Sequence, residues 1–392
     1  MRRSSTLPAI AATVAAVSLL LGGCGSTEPE PGGDPASSSP SAEPGTSGYE
    51  VATVEESVPE EWVREPGPRP EVSADLIARM GSLGVDLWHF QRDVQPESDV
   101  WVSPVSVYQA LSLLAPGVGP EAVEEMLAAM GVDSGETAAN TGDVADWITA
   151  SRRSGYQMAL YNAAFTAQQY GGFAPGYLEA IEPIRDELGG FDRLDPAGTA
   201  DLINGRVEEH TRGMIEEIVS PGDISADLVF ILLNTTYFKG DWVYPFDPIL
   251  TGPGSFTLLD GAQVEAEAMG QYMPLAVTTG EGFTTAVLPY QGGAKAVIVL
   301  ADEGRFEEVA DAITTEDLAS YAAAEAGEAE YWVSLPTFTS DSGIQDLIPA
   351  LQSIGVEQVF TTTPGWPMYN NADRHAIEFV NHRVVVAVNE LG

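Results

Sequence analysis

Side chains able to do covalent or acid–base chemistry are few in this chain. There is one cysteine, Cys24, and there are four histidines, His89, His210, His375 and His382, far apart in sequence. A single thiol excludes intrachain disulfides and cysteine-cluster metal sites, and the histidine spacing builds no metal motif. The only lysines are Lys239 and Lys295, preceded at three residues by Thr236 and Gly292, so no Ser-Xaa-Xaa-Lys nucleophile occurs. The Gly-Xaa-Ser-Xaa-Gly elbow, His-Glu-Xaa-Xaa-His and a Gly-rich phosphate loop are absent as well. Glu208-Glu209-His210 and Asp373-Arg374-His375 set carboxylates beside a histidine, and such neighbours read as solvated faces rather than catalytic groups. No common hydrolase and no cofactor is expected.

The 392 residues suffice for one large domain or two ordinary ones, and a hydrophobic content of 44% allows a full core. The formal charge of −41 repels nucleic acid and anionic headgroups. It is read as a solvation habit of the protein's surface rather than as attraction to basic partners. Residues 1–23 combine Arg2-Arg3, an uncharged run from Ser4 to Leu21, and Gly22-Gly23 before Cys24. That is a signal-peptide pattern, too short and alanine-rich for a membrane-spanning helix. The placement of Cys24 resembles the bacterial lipobox, whose cysteine takes a diacylglyceryl anchor. An ordinary secretory leader would leave an exposed, unpaired thiol, a liability in a secreted protein. Residues 24–70 are rich in Pro, Ser, Gly and Glu and cannot bury enough apolar surface to fold. They are expected to be a disordered tether, with a single domain over 71–392.

The elements of that domain follow from periodicity. Leu76, Met80, Leu83, Leu87 and Phe90 predict a helix that Ser73 could cap. Ser103-Pro104-Val105-Ser106 marks a strand running into a helix, with Pro104 in its first turn. Short helices are expected over 121–130, 141–153, 175–188, 306–313, 318–324 and 347–354, and a helix leaving through Gly213. Strands are expected over 156–167, 254–258, 283–289, 294–300, 331–338 and 376–390. The run Leu228 to Leu233 is unbroken and apolar, as in a strand covered on both faces. Asn234 extends it, and an amide there must find partners.

Asn234, Tyr237, Phe238, Lys239, Gly240, Trp242, Pro245 and Phe246 reproduce the serpin pattern Asn-Xaa-Xaa-Tyr-Phe-Lys-Gly-Xaa-Trp-Xaa-Xaa-Pro-Phe. Further stretches resemble the same family in the same order. They are the Ser103-Pro104-Val105-Ser106 element, Asn162-Ala163-Ala164-Phe165, Ile203-Asn204 with Val207, Thr211, Gly213 and Ile215, Leu335-Pro336-Thr337-Phe338, and His382 to Gly392. The resemblance covers residues 72–392. It implies an α+β fold with a large central mixed β-sheet, further sheets and about eight or nine helices.

Serpins are suicide inhibitors, mostly of serine proteases. A bait loop is cleaved and inserts as a new central strand, gaining backbone hydrogen bonds. The resemblance places that insertion between the segments 228–238 and 384–390. It implies a shutter-like polar cluster of Ser103, Ser106, Asn234 and His382, and a breach and hinge at Trp242, Glu390 and Gly392. In many members Glu390 meets a lysine at the position of Thr337, a partner this sequence lacks. The family pattern sets the bait loop, the scissile bond and the last core strands after Gly392. The sequence given is therefore expected to be truncated at its C-terminus and inactive by itself. A gene fragment, a processing product and a shortened non-inhibitory descendant all remain open. The expected protein is a monomer, lipid-anchored through Cys24 to the outer face of the cytoplasmic membrane, with serine proteases as partners. A non-inhibitory extracellular binding module is the alternative.

Overall fold

A computed structural model describes residues 16–23, 74–132, 142, 156–168, 172–361, 363–369 and 373–392. Cys24, the tether 24–70, Ser73 and nearly all of the helix expected over 141–153 lie outside the described residues. In chain order the elements begin with β1 (Ala16–Gly23), α1 (Ala74–Val94), α2 (Pro104–Leu114), α3 (Pro120–Met130), β2 (Tyr156–Ala167), α4 (Pro175–Ile181), β3 (Glu187–Phe191) and α5 (Pro196–His210). Next come β4 (Phe230–Gly240), β5 (Gly252–Thr257), β6 (Gln263–Pro274), β7 (Ala276–Thr279), β8 (Phe283–Pro289) and β9 (Lys295–Ala301). The chain continues through α6 (Phe306–Ala312), α7 (Thr315–Ala323), β10 (Glu330–Pro336), β11 (Phe338–Asp341), β12 (Gln345–Asp346), α8 (Ile348–Ser353), β13 (Thr363–Pro364), β14 (Arg374–His375) and β15 (Ile377–Val388).

The largest sheet has seven strands in the order β11-β15-β1-β4-β2-β3, with β12 also on β15. It is mixed: β3 runs parallel to β2, and the other pairs are antiparallel. Three smaller sheets are β10-β6-β5, β7-β8-β9 and the β13-β14 ribbon.

Alternate residues of β4 enter different cores. Phe230 and Leu232 join α1, α2 and α3 on one face, while Ile231 and Leu233 meet α5 on the other. Burial on both faces explains the unbroken apolar run. α2 lies within the first of these cores, with Val107, Tyr108, Leu111, Leu113 and Leu114 all buried. Its start is fixed by Ser103, whose hydroxyl accepts from the Ser106 amide at 3.4 Å, and by Pro104 in the first turn. Gly84 lets α1 close on that turn, since a Cβ there would collide with the Pro104 ring. The α3 helix ends at Gly131, left-handed at φ 64°.

The expected helix over 175–188 is shorter than its pattern suggests. It stops at Ile181, and Glu187 begins β3. Pro183 has no amide hydrogen, so it cannot donate the next helical bond to the Glu179 carbonyl. Strands β6 and β7 were not expected. β6 alternates Glu265 and Glu267 with alanines and is largely exposed along its first half, so it lacks the apolar rhythm of a core strand.

The segment Ala16–Gly23 is a strand between β4 and β15, antiparallel to both. The two segments expected to flank an inserted strand thus share one sheet and have a strand between them.

Candidate functional site at the seam of the large sheet

The polar residues of the seam come from α2, β2, β4 and β15. Ser106 Oγ donates to Asn234 Oδ1, and Asn234 Nδ2 donates to Asn162 Oδ1. Asn162 Nδ2 in turn donates to Gln109 Oε1 at 2.7 Å, and Asn234 Nδ2 also reaches that oxygen at 3.4 Å. All four residues are buried. An amide in such a place costs heavily unless its groups are paired, and here a chain of side-chain bonds ties α2 to both β2 and β4. Asn162 and Gln109 were not among the expected site residues. The clue lay in the sequence: Gln109 is the one amide of α2, and Asn162 stands next to Tyr161, Ala163 and Ala164 in β2.

Ser103 is not in that chain of bonds, because its hydroxyl caps α2. His382 and Asn234 both stand opposite Leu19 of β1, one on either side, so they share a level of the sheet without touching. His382 is fully buried, and neither of its ring nitrogens has a hydrogen-bond partner among the described residues. Burial holds its pKa down at about 3, and the ring is neutral at physiological pH. The next residue, Arg383, forks onto Asp341 at 3.0 and 2.6 Å, which pins β15 to β11. That hydrogen bond holds the Asp341 carboxyl below the usual carboxylate range.

A neutral buried histidine makes stability depend on pH with a fixed sign. Unfolding returns His382 to an ordinary pKa of about 6.5, so below that pH the unfolded chain binds a proton that the folded chain does not. Stability is lost as pH falls from 6.5 toward 3, by about 2 kcal/mol between pH 7.5 and pH 5. His210 and His375, also lowered by burial, act in the same direction. Chemical denaturation of His382→Gln across this range should show a loss smaller by about that amount. Equal slopes in the two proteins would remove His382 as the cause.

The upper end of the seam is closed by the turn after β15. Trp242 is buried, stacks on Tyr290 at 4.1 Å between ring centres, and meets the edge of Phe246. Its indole donates to the Asn389 carbonyl at 3.0 Å and its amide to the Leu391 carbonyl at 2.7 Å. The Phe246 amide donates to the Glu390 carbonyl at 2.9 Å. The side chain of Glu390 accepts from Thr251 Oγ1 at 2.8 Å, while Thr337 turns instead to the Glu267 carbonyl. A neutral hydroxyl from another segment therefore holds the carboxylate whose lysine partner is missing. Gly392 packs against the Gly240 carbonyl so closely that a Cβ would overlap it.

The two charged histidine triplets lie in different settings. Glu209 is exposed and pairs with Arg206, while His210 stacks on Tyr161 at 3.6 Å. The expectation of a solvated face fails for His375, which is buried between Trp366 and Tyr369. Among the described residues no cluster of three potential metal ligands occurs, and no helix is long and apolar enough to cross a membrane.

A mixed seven-stranded sheet with buried amides behind its middle strands, three smaller sheets and eight α-helices among the described residues define an α+β fold. The chain belongs to the serpin family: the family model "Serpin (serine protease inhibitor)" matches residues 78–392. Among curated relatives it is 26% identical to Serpin A3-7 of Bos taurus, over 76% of this chain and 72% of that protein. It is 24% identical to Neuroserpin of Gallus gallus, over 80% and 79%. Solved structures with this fold include protease nexin-1 with heparin, at a TM-score of 0.73 and 20% identity over 81% of this chain and 88% of that one. Thyroxine-binding globulin with thyroxine gives 0.71 and 19% over 81% and 88%, and emu ovalbumin 0.70 and 19% over 80% and 91%.

Proposed function

We propose that this protein inhibits serine proteases by seating its own cleaved bait loop as a strand between β4 and β15, and that it is not itself an enzyme. The supporting observation is the seam: a strand antiparallel to both neighbours fits there, level with Asn234 on one side and His382 on the other. Insertion satisfies the inward-facing backbone groups of two buried strands at once, which supplies the driving force. The cluster of Ser106, Asn234, Asn162 and Gln109 lies at this seam and would rearrange as the strands part. Trp242, Glu390 and Gly392 form the end at which an entering loop would start.

The test is incubation of residues 24–392 extended by a bait loop and closing strands of the serpin pattern with serine proteases of trypsin, chymotrypsin, elastase and subtilisin type. A covalent complex that survives hot detergent is expected with at least one of them, and residues 1–392 alone should form none. Absence of a complex across the panel would favour a binding module, the second reading. That reading draws support from thyroxine-binding globulin, a protein of this fold whose structure was solved with thyroxine. A covalent complex with residues 1–392 would contradict the expectation that this stretch cannot act alone.

The leader and Cys24 add an address: a lipid anchor on the outer face of the cytoplasmic membrane, with the tether 24–70 holding a monomeric domain clear of it. Cys24→Ser should move the protein from the membrane fraction to the soluble one and abolish labelling by radioactive palmitate. Unchanged partitioning would refute the anchor.

A further inference from the structure

One arginine of the domain shows how this chain seats a cation. Arg92 lies over the Trp88 ring at 4.9 Å and the Phe306 ring at 5.8 Å, and its guanidinium pairs with Glu307 at 2.6 Å and Asp311 at 3.0 Å. Two rings with carboxylates at their rim attract a cation from face and edge together. The outer face of the β10-β6-β5 sheet holds the same parts without an arginine. Trp332 of β10 and Tyr272 of β6 stand opposite each other in register, with ring centres 4.9 Å apart and planes tilted by 60°. Met269, Met273, Val333 and Leu335 fill the core on the other face, so the two rings point outward. Tyr272 is 63% exposed and Trp332 39%. The Trp332 ring lies down over Gly270, where a Cβ would collide with it, and is thereby fixed against the strand. Glu330 is exposed and two residues before Trp332, on the same face of β10.

No cation from the sheet's own segments can fill this seat. Residues 240–294 and 306–373, which contain all three strands, carry eighteen carboxylates and no Lys, Arg or His. Glu307, Glu308, Asp311 and Asp341 find arginines from elsewhere, but among the described residues no ion pair reaches Glu330. An exposed aromatic pair on a rigid sheet is contact surface, and its unneutralised rim selects a basic partner.

We propose that Trp332, Tyr272 and Glu330 form a docking site for a basic segment of the target protease, with an Arg side chain stacked on the rings and bonded to Glu330. The protease as partner rests on the inhibitory reading; the basic chemistry of the partner does not. The position suits it. Thr251, just before β5, bonds Glu390 at 2.8 Å, and the Thr337 amide, just after β10, bonds the Glu267 carbonyl at 2.8 Å. Trp332 is four residues along β10 from Pro336, about 13 Å, within reach of a protease held on a loop that starts beside Glu390.

The test titrates a fluorescent hexa-arginine peptide into the full chain 1–392 at physiological ionic strength. Trp332→Ala and Glu330→Gln should each weaken binding about tenfold, and Trp332→Phe, which keeps a ring, should retain most of it. Glu124→Gln removes one charge from an exposed place on α3 and should change binding by less than about twofold. Equal weakening by Glu124→Gln and Glu330→Gln, or unchanged binding in Trp332→Ala, would mean that the peptide reads only the general charge of the chain and would overturn the site. In residues 24–392 extended by a bait loop and closing strands, a basic protease should associate about tenfold faster than an acidic one of the same cleavage specificity, and Glu330→Gln should remove most of the difference. Equal rates would refute the protease as occupant. If neither protease forms a complex, the inhibitory reading fails and the protease with it, while the peptide titration, which uses no protease, still decides the cationic site.

Discussion

Trp242→Ala lowers the unfolding free energy by about 3–5 kcal/mol, the range for deleting a large buried aromatic side chain. The side chain is 3% exposed and lies against Tyr290 and Phe246. Its indole nitrogen is the donor to the Asn389 carbonyl, so truncation empties a cavity and leaves a carbonyl short of a partner. The damage should not stay local. Trp242 and Phe246 bind the backbone of residues 389–391, and those bonds hold the turn after β15 against the end of β4. Urea denaturation followed by circular dichroism measures the loss, and exchange of the Phe246 amide reports the turn. A loss below about 1 kcal/mol, the scale of an ordinary surface change, would mean that Trp242 does not hold the seam's upper end.

Asn234→Ala should cost about 1–3 kcal/mol, set by the polar atoms it strands rather than by the volume it removes. Ser106 Oγ loses its acceptor and Asn162 Oδ1 its donor, both in buried positions. Asn162→Ala should cost a similar amount, and the double mutant less than the sum, because the two side chains belong to one network. An unchanged melting temperature in Asn234→Ala, or strict additivity in the pair, would show that the amides act independently.

The contrast between these residues shows what can be read from sequence. β4 announces itself because burial on both faces imposes an unbroken apolar run, and the amide interrupting it marks a polar cluster. Strand β2 matches its apolar pattern from Tyr156 to Ala167. Gln109 could be suspected as the one amide in an apolar helix, but its partners come from strands more than fifty residues away. Which buried polar residues meet is a property of topology, and spacing along the chain does not carry it. The Thr251–Glu390 contact is hidden for the same reason: a hydroxyl from a different loop takes the place of an expected lysine. β6 escapes notice because its exposed half needs no apolar face. Residues 16–23 show the limit most clearly. Their composition reads as an export signal, and nothing in it announces a strand paired with β4 and β15.

Thermal unfolding of residues 24–392 extended by a bait loop and closing strands of the serpin pattern, before and after a single proteolytic nick in that loop, bears most directly on the proposed uptake of a strand. With residues 1–23 left out of the protein, the freed loop should enter between β4 and β15, complete both ladders, and raise the melting temperature. A nicked protein that melts at the same temperature as the intact one, or lower, would mean that this sheet does not take up a strand.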